Sequence, residues 1–122
     1  MVIVILGILA AVAVPKFVDL QSDAREAATQ GVAGGVSSAF AVNYAAYAVS
    51  PAKGVQVSGT IAAANLNTLA AAMMAGGVPS NFTVTAGAAV TCGTSVGLSN
   101  TAAVTTNVGA TASAPATLIC TG

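Results

Sequence analysis

The chain opens MVIVILGILAAVAVP, with fourteen uncharged residues ahead of Pro15. A run that is apolar at every consecutive position has no polar face, so as a helix it must be covered all round by lipid or protein. As a helix it also spans only about 21 Å of a hydrocarbon layer roughly 30 Å thick. A cleaved secretory signal would need a basic leader before the run and a small-residue cleavage site after it, and the sequence shows neither. The run passes instead through Pro15 and Lys16 into FVDLQSDAREAATQ. There Phe17, Val18 and Leu20, separated by polar residues, continue a helical pattern. One long helix that stays in the mature protein is expected.

Composition sharpens the class. Of the 122 residues, 56% are hydrophobic but only 4% aromatic, so alanine and valine must build the core by close approach of small side chains. The charges are Lys16, Asp19, Asp23, Arg25, Glu26 and Lys53, and nothing after Lys53 is charged. Ordinary soluble surfaces are about a quarter charged or more. Ser, Thr and Asn, or burial against other copies, must keep this one dispersed. Net charge is zero, which leaves almost nothing to neutralise phosphates, and nucleic acid is excluded as a partner.

Two cysteines, Cys92 and Cys120, bracket the C-terminal segment. In an extracytoplasmic chain such a pair reads as one disulfide, whose loop is worth roughly 3 to 4 kcal/mol; two unrelated buried thiols are the alternative. A metal site is disfavoured, because no histidine or nearby acid completes a ligand set.

Val32, Val36, Phe40, Asn43, Tyr44 and Tyr47 share one helical face, and Pro51 ends the helix near Ser50. A helix from Met1 to about Ser50 is roughly 75 Å long, so half of it must project from any domain of this size. Thr60 is the expected N-cap of a second helix over IAAANLNTLAAAMMA, stopped by Gly76 and Gly77. Beyond it, the alternation of Phe82, Val84, Ala86, Ala88 and Val90 with smaller or polar residues, then AAVTTNV and ATLI, predicts three or four short antiparallel strands. The fold class is α+β: a long N-terminal helix projecting from a small head of antiparallel sheet packed on its C-terminal half. Residues 1–27 form the stem and 28–122 the head.

The run VIVILGILAAVAVPKFVDLQSDAREAATQG resembles the N-terminal segment of type IV pilins, and most of all the mannose-sensitive haemagglutinin type. That family carries an internal glycine, a proline eight residues on, and a basic–aromatic pair before a polar helix. These stand here as Gly7, Pro15, Lys16 and Phe17. The resemblance implies the pilin fold and a terminal disulfide. It also implies a leader removed by a prepilin peptidase, and roughly seven mature residues ahead of Met1 that would restore a span of about 30 Å. The family's diagnostic glutamate falls among those residues. The function implied is a structural subunit of an extracellular type IV pilus used in adhesion, attachment or motility. It would wait in the inner membrane and be polymerised with identical subunits by a pilus assembly machinery. A type II secretion pseudopilin and a helix-anchored periplasmic binding module that never polymerises are the alternatives. Pseudopilins of related layout hold calcium with head-domain acids, and this head has none.

On this reading Ile3, Leu6, Ala10, Ala11, Val14 and Phe17 pack against neighbouring stems. Asp19, Asp23 and Glu26 repeat on one helical face with Lys16, and Arg25 of another copy is their expected cation; a solvated polar patch is the competing reading. Gly7 and Pro15 bound the softest part of the helix, and pilins of this kind often lose helix between the equivalent positions on assembly. No enzyme and no cofactor is expected. The Ser50–Lys53 stretch SPAK matches S-x-x-K, but the chain lacks the S-D-N and K-T-G elements that serine acyl-transfer enzymes of this kind also need, so it reads as a helix end with a solvated lysine. The sequon at Asn81 reads as a turn entering a strand. Phe17, Phe40, Tyr44 and Tyr47 read as core before any electron path. The fourteen Ser and Thr residues from Ser80 to Thr121 suit sugars, uncharged contacts or β-propensity alike.

Overall fold

The computed structural model describes residues 1–86, 88–107 and 111–122, with side chains described outside 13–19. Helix α1 runs unbroken over Val2–Val49, 48 residues, through both Gly7 and Pro15. It stops where Ser50 turns extended ahead of Pro51, the conformation a following proline imposes. A single 3-10 turn, Pro51–Lys53, then turns the chain back.

Two details hold that return. The Asn43 side chain, on the buried face of α1, donates from Nδ2 to the Val55 carbonyl at 2.9 Å and accepts the Val55 N–H at 2.7 Å. One amide thus satisfies both backbone groups of a residue that no strand pairs. Gly54 meanwhile lies so close to α1 that a Cβ there would stand 2.8 Å from Tyr47 Cβ and 2.9 Å from Tyr47 N.

Among the described residues the head contains five strands in two antiparallel sheets. Strand β1 (Gly59–Ile61) pairs with β3 (Val90–Gly93), and β2 (Phe82–Thr85), β4 (Ser99–Thr106) and β5 (Ser113–Ile119) form a sheet in the order β2-β4-β5. Alternation places Ala102, Val104 and Thr106 of β4 and Ala114, Ala116 and Leu118 of β5 inside. They face Ala33, Val36 and Phe40 of α1, with Leu66 and Ala70 of helix α2 (Leu66–Met73) closing one side. Pro115 is tolerated because β5 is an edge strand. The Thr117 N–H on that edge donates to Ser37 Oγ at 2.9 Å, while Ser37 Oγ donates to the Ala33 carbonyl one turn back. The α+β layout matches the expectation, as do the helix end at Pro51 and the buried face, on which Val36, Phe40 and Asn43 are buried and Val32, Tyr44 and Tyr47 half-buried.

Two local expectations are corrected. Thr60 does not cap a helix: it lies in β1 opposite Thr91. The second helix is short, entered through the 3-10 turn Ala63–Asn65. The β-branched pair Thr60–Ile61 finds a strand partner in β3, and that tertiary pairing outweighs the alanine-rich helical pattern. The alternating run from Phe82 to Val90 is likewise two strands, β2 and β3, in different sheets, with Gly87 between them outside the described residues. The extra sheet brings the strands among the described residues to five.

Among the described residues no ladder joins the two sheets; the Cys92–Cys120 disulfide does, with Cα atoms 5.6 Å apart and a sequence separation of 28. Thr121, just beyond it, is buried and ties to the returning chain, its N–H donating to the Val57 carbonyl and its Oγ1 accepting the Val57 N–H. Gly54→Ala must overpack against the α1 backbone and should cost about 1 to 3 kcal/mol. Gly34→Ala, in the helix interior with open space around the added Cβ, should add about 0.5 to 1 kcal/mol. Thermal melts of the two variants in detergent test this, and equal shifts would contradict the packing described.

Candidate subunit-packing surface

At 1.5 Å per residue α1 is about 72 Å long. Among the described side chains the first half-buried one is Arg25 and the first buried one Thr29, and those of residues 1–12 and 20–24 stand clear of the head. The described stem side chains are all exposed: Ile3 85%, Leu6 61%, and Val2, Val4, Ile5, Ile8, Leu9 and Val12 between 59% and 70%. Ala10 and Ala11 are exposed as well, and an added Cβ at Gly7 would meet nothing within 4 Å. Monomeric soluble proteins rarely leave an apolar patch beyond a few hundred Å² uncovered. This one encircles the helix, so a single flat partner cannot cover it. The side chains of Val14, Pro15, Lys16, Phe17 and Asp19 lie outside the described residues.

By length and composition α1 is apolar enough to cross a membrane. Its section Leu20–Val49 meets that measure but is already committed to the head through Ala33, Val36 and Phe40. The apolar section not committed to the head is Val2–Val12, which is shorter than that measure requires.

The charged belt lies where stem meets head. Asp23 and Glu26 are exposed. Arg25 is half-buried and lines a cleft of about 280 Å³ with Ser22, Glu26 and Thr111, Ala112 and Ser113 of its own head. Its carbonyl accepts the buried Thr29 hydroxyl at 2.7 Å. Arg25 is thus turned toward its own sheet rather than fully presented to a neighbour. Lys53, the single charge of the head, is exposed at the 3-10 turn after α1.

Among the described residues no three of His, Cys, Asp and Glu gather into a metal-binding group. A shallow hollow on α2 is lined by Gln56, Ile61, Asn65, Thr68, Leu69 and Ala72, with no ionisable side chain. Ser50–Lys53 is the helix end with its turn, the Lys53 N–H donating to the Ser50 carbonyl, and Asn81 is the turn residue before β2. Phe40 is fully buried in the core.

No family model, curated protein or solved structure matches the chain.

Sequence reading missed the groove along the opposite flank of α1, lined by Gly35, Ser38, Ala39, Val42, Ala46, Ala72 and Met73. It exists only because α2 packs beside α1, and no local pattern encodes it. If the stem is the surface that must be covered, Ile3→Lys with Leu6→Lys should move the chain from the detergent to the aqueous phase of a cloud-point separation while the Cys92–Cys120 bridge still forms. Retention in the detergent phase would show that another surface drives burial.

Proposed function

We propose that this chain is the structural subunit of a type IV pilus-like filament, a helical homopolymer outside the cell that serves adhesion, attachment or motility. The observation that carries this reading is an exposed run, Val2–Val12, apolar on all sides and continuous through one helix with the spine of a disulfide-closed head. Before assembly the stem holds the subunit in the inner membrane. In the fibre it lies among identical stems, and an assembly machinery and a prepilin peptidase are the partners that handle it.

The energetics favour such a route. Apolar area removed from water contributes about 25 cal/mol per Å², but the stem leaves lipid rather than water, so close packing must supply most of the gain. Ala10 and Ala11 allow that approach. The almost uncharged head suits contact with further copies, since no like charges need to be brought together.

Electron microscopy of material sheared from producing cells tests the reading: abundant thin fibres are expected, and a membrane-held chain without fibres would identify a non-polymerising anchored module instead. Ala11→Arg should abolish fibres and leave the head disulfide-bonded, because a guanidinium cannot be accommodated between close-packed stems; fibres at wild-type abundance from this variant would refute stem packing.

The helix between Gly7 and Pro15 is the weakest part of the stem. A proline inside a helix costs about 3 kcal/mol or more, and Gly7 about 1 kcal/mol relative to alanine. In a bilayer the backbone has no other partner and stays helical, whereas in a fibre neighbouring chains shield it. Residues from about Ile8 to Val14 should therefore be extended in a fibre structure, lengthening the stem by roughly 13 Å. A continuous α-helix there in the fibre would contradict this.

A further inference from the structure

The head carries one charge, Lys53, and the structure leaves it exposed at one end of a groove. Two adjoining hollows, of about 300 and 190 Å³, form that groove and share Ala39, Val42 and Met73. Gly35 lies in one hollow, and Ala46 and Lys53 in the other. Together they follow α1 for about 16 Å. Val42 on this face is 70% exposed. Apart from Lys53 and Asn43, whose amide is bonded to Val55, the lining is apolar or small.

A groove that carries one cation fits a helix face that presents an acid at the matching place. The exposed acids described in this chain, Asp23 and Glu26, lie on α1 itself. Glu26 shares the cleft with Arg25. Asp23 is different. At 100° per residue it sits about 120° from the head-facing row Thr29, Ala33, Val36, Phe40 and Asn43, while Gly35, Ala39, Val42 and Ala46 sit about 110° from that row in the other direction. Groove and acid therefore occupy separate flanks of one helix.

They are also far apart along it. From Asp23 to Ala46, beside Lys53, the rise is about 35 Å, more than three Debye lengths at 0.1 M salt. Lys53 and Asp23 of the same chain cannot pair. Two complementary patches on different faces, displaced along the axis, make a heterologous contact, and such contacts repeat into an open helical polymer when the rotation between copies does not close a ring.

We propose that the groove between α1 and α2 seats the α1 of a second copy of this chain, with Lys53 paired to Asp23 of that copy. The proposal rests on the filament reading and names its lateral contact. Lys53, not the half-buried Arg25, is the cation that answers the acids of the stem. The contact also fixes the register between neighbours, because sliding by one helical turn parts the ion pair by about 5 Å and leaves the apolar groove unchanged.

The test has two arms. In cells producing the full chain, Lys53→Asp and Asp23→Lys each place like charges together and should lower fibre yield about tenfold or more, while the double exchange should return most of it. A single exchange without effect, or a double exchange no better than the singles, overturns the pairing. In the second arm a zero-length carbodiimide is applied to wild-type cells grown on mixed isotopes, and linked peptides are read by mass spectrometry. Bonds joining Lys53 of one copy to Asp23 of another are expected. Fibres without that bond overturn the pairing and spare the filament reading. The bond in a membrane pool without fibres keeps the pairing and overturns the filament. Lys53 bound instead by anionic lipid would leave it uncoupled to Asp23 in both pools, which overturns the proposal.

Discussion

The contact between α1 and the β4–β5 pair is the constraint on which the remaining structure depends. Phe40, Val36 and Ala33 fill the space above Ala102, Val104, Ala116 and Leu118, and with so few aromatic residues elsewhere this is where most of the large buried volume lies. Because α1 is one continuous helix, that contact also aims the stem. The rotational setting imposed by Phe40 decides which flank receives α2 and which carries Asp23. The C-terminal half of this helix is one-sided and its first dozen residues are apolar all round, and an unbroken helix carries the setting of the one to the other.

A head with a single charge must be stabilised by other means. Side-chain to backbone hydrogen bonds do much of this: Asn43 with Val55, Thr121 with Val57, Asn67 accepting the Val84 N–H, Ser37 accepting the Thr117 N–H. Each pairs a backbone group at the margin of a sheet or in a loop, where an unpaired donor or acceptor would cost about 1 to 3 kcal/mol. The bonds are short-range and insensitive to salt. They stitch together segments that no ladder connects, as the disulfide does for the two sheets.

The stem faces a conflict that its sequence expresses directly. Gly7 and Pro15 weaken the helix, yet α1 passes through both without interruption. In a medium without water a broken helix strands backbone groups at several kcal/mol each, more than the helix penalty of the proline. On the filament reading, the same two residues would lower the cost of leaving the helix where other chains supply cover. Softness and continuity are then properties of one segment in two surroundings.

Local physics in the sequence determined the long helix and its end, the all-round apolar stem, the buried row Val36, Phe40 and Asn43, the cysteine pair and the α+β class. Hydrophobic period, proline geometry and charge census are each legible over a few turns. Only tertiary structure decided that Thr60 and Ile61 join a strand, that the run from Phe82 to Val90 is divided between two sheets, that Gly54 must lack a side chain beside Tyr47, and that Arg25 turns to its own head while Lys53 ends a groove. Each of these depends on a partner 7 to 88 residues away along the chain, Tyr47 for Gly54 and Ser113 for Arg25 at the extremes. Propensity is set by a residue and its near neighbours, whereas strand pairing, close approach and exposure are set by whatever the folded chain brings alongside.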